Sequence, residues 1–86
     1  MIRHIDLGKD TLSRQTATRR LIMRGVIQFG GYRPGMIYGK LSCASGKKMK
    51  VQNRVFFQDE AEAIRAGYRP CAHCLREKYL KWIGRP

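Results

Sequence analysis

Three cysteines constrain this chain more than any other residues: Cys43 in the middle, then Cys71 and Cys74 at the ends of the turn Cys71-Ala72-His73-Cys74. Two sulfurs set two residues apart converge on one metal ion from a tight turn. A distant third thiol then closes a long loop onto the same centre. An odd number of cysteines cannot pair off completely in disulfides. A chain of 86 residues has room for one domain. A domain of that size buries only about two-thirds of the surface its unfolded chain exposes, so a metal staple supplies what a small core lacks. Thiols used for metal rather than bridges predict a reducing, cytoplasmic setting. The charged start Arg3-His4-Ile5-Asp6 is unlike a secretory signal, and the longest apolar run falls far short of a membrane span.

Structural zinc takes four protein ligands, and the chain offers three thiolates. His4 can fold back from the N-terminal segment to complete the set. His73 lies inside the metal turn, where middle residues usually face outward. A carboxylate or a water completes the options. Zinc lowers the pKa of bound water to about 7, which would open hydrolysis, but the sequence offers no clear general base.

Charge is the second constraint. The formal net charge is +12, and all six acids lie toward the two ends: Asp6, Asp10, Asp59, Glu60, Glu62 and Glu77. Between residues 11 and 58 there is no carboxylate against ten cations. Such a field concentrates polyanions at the surface, so nucleic acid is the expected partner. No basic amphipathic helix with a large apolar face speaks for a membrane.

Asp10 caps a predicted helix over residues 11–24, with Gly25 as its stop. Residues 26–29 read as a short extended stretch halted by Gly30-Gly31, and Tyr32-Arg33-Pro34-Gly35 as a turn. Residues 36–41 and 54–57 are predicted strands, paired antiparallel, with a turn at Ser45-Gly46-Lys47-Lys48 that gathers Lys47, Lys48 and Lys50. Asp59 and Glu62 form a capping-box start for a helix over 59–66, which Gly67 ends and Pro70 keeps from continuing. Leu75, Tyr79, Trp82 and Ile83 share one face of a last helix that begins in the metal turn, with Trp82 as a core anchor. Residues 84–86 are a frayed end. The expected fold class is α+β: a small zinc-stapled domain with a short antiparallel sheet, an N-terminal helix and a C-terminal helix starting at the Cys-x-x-Cys turn.

The stretch from Glu62 to Cys74, a short Glu-Ala helix followed by Gly-Tyr-Arg-Pro-Cys-Ala-His-Cys, closely resembles the second half of the zinc-binding domain of the Ada DNA-repair family. Upstream, Ile37-Tyr38-Gly39-Lys40-Leu41-Ser42-Cys43 is similar to the family's Ile-aromatic-Cys-Arg-Pro-Ser-Cys segment, and residues 53–57 to its Asn-hydrophobic strand. The likeness covers residues 36–74. It implies a zinc domain that grips DNA, taken here as residues 36–86; residues 1–35, outside the likeness, are expected as a helical segment packed on it. In that family four cysteines hold zinc, and the first accepts a methyl group from a damaged DNA phosphotriester. Gly39 stands at the matching position and offers no nucleophile.

The expected function is therefore a zinc-binding, duplex-DNA-binding module without the methyl-acceptor thiol. Its metal ligands are Cys43, Cys71 and Cys74, with His4 or His73 as the fourth, and its nucleic-acid contacts are Lys47, Lys48, Lys50, Arg54 and Arg69. Arginine forks two bonds onto one phosphate, while lysine serves as a mobile point charge. Alkyl transfer to a remaining zinc thiolate such as Cys43 is the enzymatic alternative. A zinc-stabilised module for an acidic protein partner is the third reading.

Overall fold

The three aromatic and β-branched residues of the Arg54–Phe57 segment set the centre of the fold. A computed structural model describes residues 1–84, except the side chains of Ser45 and Lys47. Val55, Phe56 and Phe57 form strand β4 (Arg54–Phe57) and are fully buried, so this strand is covered on both faces. Alternation along a strand sends Val55 and Phe57 to one side and Phe56 to the other. Burying one such side chain contributes about 1.5–3 kcal/mol.

Five strands make one mixed sheet in the order β1-β4-β2-β3-β5. The others are β1 (Ile2–Arg3), β2 (Phe29–Tyr32), β3 (Ile37–Lys40) and β5 (Arg69–Pro70). All pairings are antiparallel except β3 with β5. Helix α1 (Thr11–Met23) precedes β2, α2 (Ala44–Lys47) follows β3, and α3 (Glu60–Arg65) and α4 (Arg76–Trp82) flank β5 in the chain. The α+β class is as expected, but two details of the sheet are corrected.

Strands 36–41 and 54–57 do not pair with each other, because β2 lies between them. Gly30-Gly31 does not halt a strand either; it forms the middle of β2. The reason is a close approach. A Cβ on Gly31 would lie 2.8 Å from a Phe57 ring carbon and 2.9 Å from a Val55 methyl. Only glycine lets the central aromatic residues press against the neighbouring strand there. The turn placed at residues 45–48 is instead the short helix α2, with Cys43 as its N-cap residue.

On the Val55 and Phe57 side lies the core, with Tyr38, Ala63, Tyr68 and Leu75; Phe29 and Cys74 pack against it. The Phe57 and Tyr68 rings meet edge to face at 4.9 Å, a favourable arrangement of ring quadrupoles. Helix α3 is tied down as its capping residues predict. Glu62 N–H donates to Asp59 Oδ1 at 2.8 Å, and Glu62 Oε1 reaches back to accept from Gln58 N–H at 2.7 Å. Tyr38 O–H donates to Glu60 Oε2 at 2.8 Å, and Lys78 Nζ donates to the same oxygen.

Helix α1 begins at Asp10, whose Oδ1 accepts from Ser13 N–H at 2.8 Å. It carries no buried residue and packs chiefly on the 3-10 turn His4–Leu7. Trp82 is not a core anchor: it is 58 % exposed, while Leu75 is buried. Only the start of the last apolar face reaches the core: α4 packs along β5, where Tyr79 is half-buried and Trp82 and Ile83 stay exposed. Of the frayed end expected at residues 84–86, Gly84 sits in a turn with its N–H donating to Lys81 O at 3.1 Å, and Arg85 and Pro86 lie outside the described residues. No described helix is long and apolar enough to cross a membrane.

Candidate metal centre and basic groove

The single parallel pairing of the sheet builds the metal centre. Arg69 N–H donates to Met36 O and Cys71 N–H to Tyr38 O, each at 2.8 Å, which sets Cys71 beside Gly39. Pro70 starts the turn without a donor of its own, and Leu75 N–H closes it onto Cys71 O at 3.1 Å. At the other end of β3, Cys43 N–H donates to Lys40 O at 3.1 Å, folding the chain back on itself. Cys43 is thereby carried to the Cys71 turn.

The Sγ atoms of Cys43, Cys71 and Cys74 all lie within 4.8 Å of one another. Tetrahedral zinc–sulfur bonds of about 2.3 Å set neighbouring sulfurs about 3.8 Å apart, so the three sulfurs suit one zinc ion. Lys40 N–H donates to Cys74 Sγ at 3.3 Å, a contact that supports a thiolate. Burial first, with Cys43 and Cys71 adding to it and the Lys40 amide acting the other way, pushes the Cys74 thiol up to about 11. A bound cation reverses this order and deprotonates a coordinating thiol outright.

Gly39 adjoins the sulfurs directly. A Cβ there would lie 2.7 Å from Cys74 Sγ and 3.1 Å from Cys71 Cβ. Residue 39 therefore borders the cluster, and the Cys74 sulfur fills the space that a side chain at 39 would take.

No histidine or carboxylate joins the three sulfurs among the described residues. His4 sits at the opposite margin of the sheet. β1 pairs with β4, Ile2 opposite Phe56, and the His4 ring meets Phe56 edge-on at 5.3 Å. Burial first, then the Arg54 and Arg14 charges, hold its imidazole below the usual histidine range. Its Nδ1 is buried with no hydrogen-bond partner. His73 lies within the metal turn with an exposed side chain.

A groove of about 410 Å³ opens from the cluster across the sheet, lined by Gly30, Gly39, Cys43, Cys71 and His73 among others. Gly30 and Gly39 are paired across β2 and β3, so neither strand puts a side chain of its own there. Lys40, Arg54 and Arg69 line it, and no carboxylate does among the described residues. Of the cations proposed from sequence, Arg54 and Arg69 thus share the groove. The Arg54 guanidinium lies over the Phe56 ring, 5.0 Å from its centroid. Lys48 and Lys50 are exposed beside the 3-10 turn Val51–Asn53 and do not line the groove. The Lys47 side chain is outside the described set. Lys40 lines the groove without being among the contacts expected from sequence; its place between Gly39 and Cys43 is the signal that points to it.

A family model described as the metal binding domain of Ada matches residues 26–77. No curated protein and no solved structure matches the chain.

Proposed function

The chain belongs to the Ada metal-binding domain family, and from that premise we propose that it is a zinc-stapled module that binds duplex DNA without accepting a methyl group. Cys43, Cys71 and Cys74 hold the metal in this reading. Gly39 stands where the family carries its acceptor cysteine, and glycine supplies no thiolate. Zinc, when bound, keeps the three thiols deprotonated and ties β3 to the turn before α4, so metal affinity becomes folding affinity. Residues 1–35 and 36–86 act as one domain, a reading supported by β2, which contributes to the sheet from the first part.

The observation that carries the proposal is the groove: it starts at the sulfurs, is lined by Lys40, Arg54 and Arg69, and has no acid in its walls. Phosphates attract such a surface whatever the base sequence. Lys48 and Lys50 add charge on the connection between α2 and β4, Lys47 ends α2 just before them, and Arg14, Arg19 and Arg20 are spread around α1. Among the described residues, the only ion pairs are those of the Met1 amino group with Glu62 and of Lys78 with Glu60. The remaining cations are thus uncompensated by direct acid contacts.

Duplex binding followed by fluorescence anisotropy tests the reading, with zinc-loaded protein at several salt concentrations. A module engaging about five phosphates should give a slope near −4.5 in log affinity against log salt. Zinc removal should abolish binding. No binding at low salt would overturn the proposal. Intact mass after incubation with methylated-phosphate DNA should stay unchanged; a methyl group on Cys43 would make the protein an acceptor after all.

A further inference from the structure

The chain contains one tryptophan, and the fold displays it. Trp82 is 58 % exposed on α4, a helix with no buried residue. Exposure of this size on a small protein is informative because a large aromatic ring is normally covered. Nor is the ring left loose. Tyr79, one turn earlier, stacks on it with centroids 6.3 Å apart and planes 25° apart. The Arg69 guanidinium lies over both rings, 5.2 Å from the Tyr79 centroid and 5.8 Å from that of Trp82. Arg69 is itself fixed, since its Nη1 donates to Pro70 O at 3.0 Å.

Beside this stack is a hollow of about 460 Å³ between α3 and α4. Trp82, Ile64 and Pro70 give it apolar walls, and Lys78 and Lys81 stand at it together with the Glu60 carboxylate. Ile64 is 57 % exposed. Lys78 is held by Glu60, whereas Lys81 has no ion-pair partner among the described residues. A flat, exposed aromatic face with the uncompensated Lys81 at its margin matches a nucleobase and its phosphate in shape and charge. An acidic peptide would satisfy the lysines but leave the ordered ring stack unexplained.

We infer, resting on the nucleic-acid reading above, that Trp82, stacked on Tyr79 and capped by Arg69, is a platform for an unpaired base of a single strand, with Lys81 on its phosphate. Arg69 also lines the groove at the metal centre. One strand can therefore run from groove to platform, which suits a frayed end or a gap in a duplex better than intact helix. Bases within a duplex are already stacked on their neighbours and present no open face to the ring.

Trp82 reports on its own site through its emission. Zinc-loaded protein is titrated with a short oligothymidylate and with a blunt duplex, each followed by tryptophan emission and by anisotropy of a labelled strand. The expected result is quenching by the single strand and unchanged emission with the duplex. Trp82→Ala should weaken single-strand binding about 5- to 150-fold while duplex affinity and thermal unfolding stay at the parent values. Trp82→Phe should recover most of the loss. Single-strand binding with unchanged emission, or undiminished in Trp82→Ala, would overturn the platform and leave the duplex-binding module standing. Emission that shifts with protein concentration alone would overturn it too, by showing a second copy covering the ring. Failure to bind either nucleic acid would remove both readings together.

Discussion

A methyl group added at Gly39 tests the packing of the metal centre most directly. In Gly39→Ala the new Cβ would meet Cys74 Sγ at 2.7 Å and Cys71 Cβ at 3.1 Å, where relaxed contacts need about 3.5–4.0 Å. Cys74 can rotate its sulfur away, but only by lengthening the bond from Lys40 N–H and spreading the sulfur cluster. Cys71 cannot move without straining its backbone bond to Tyr38 O. Overpacking of this kind costs about 1–3 kcal/mol. Against it, alanine is better than glycine in a strand by about 0.5–1 kcal/mol. The net destabilisation is about 1–2 kcal/mol, which for a domain of this size lowers Tm by about 5–15 °C. Thermal unfolding of zinc-loaded protein, followed by circular dichroism, reads that shift. A competition titration against a chromophoric chelator should show zinc held about 5- to 30-fold more weakly. Gly46→Ala is the control, since a Cβ there meets nothing within 4 Å. An unchanged or raised Tm in Gly39→Ala, with undiminished zinc affinity, would refute the idea that the sulfurs are packed against this residue.

Metal removal by a strong chelator, or Cys74→Ala, should abolish the cooperative unfolding transition; a sharp transition surviving verified metal loss would show that the sheet folds unaided. Tyr38→Phe removes the hydroxyl that donates to Glu60 and should cost about 0.5–1.5 kcal/mol in denaturant unfolding, with the m-value unchanged. The Glu60 carboxyl is held below its usual 4.5 by hydrogen bonds from Lys78 and then Tyr38. A depressed folded-state pKa contributes stability above the unfolded value and loses it as pH falls through the folded one. The stability gap between the parent and Glu60→Gln should therefore be full at pH 6, begin to close below about pH 4.5 and vanish in stronger acid; a gap independent of pH would show that the carboxylate charge does no work there.

The parts legible in the sequence are those set by local chemistry. Asp59, Glu62 and Gly67 mark α3 because capping and helix termination need only neighbours in the chain. The Cys-x-x-Cys turn and its partner Cys43 follow from the few geometries that bring thiols to one centre. Non-local pressure explains what was misread. Gly30-Gly31 looks like punctuation until Phe57 and Val55 are seen against Gly31, and nothing in the chain announces that approach. The insertion of β2 between β3 and β4 follows from the same contact. Trp82 has the right spacing for a buried face, yet α4 reaches the core only through Leu75, the residue before its first turn. His4 suits a metal by type alone, and the pairing of Ile2 with Phe56 draws it to the far margin.

Both outermost strands, β1 and β5, are only two residues long, and β5 ends in a proline that has no N–H to offer. A row of unpaired backbone groups is what lets one sheet seed another, and this sheet has almost none on either flank. Self-repulsion among chains carrying +12 charges works in the same direction. Short edges and like charge thus both work against amyloid-like stacking, the charge most strongly at low salt. The same short edges offer a partner strand little backbone to pair with, which favours recognition by side chains on the faces and helices.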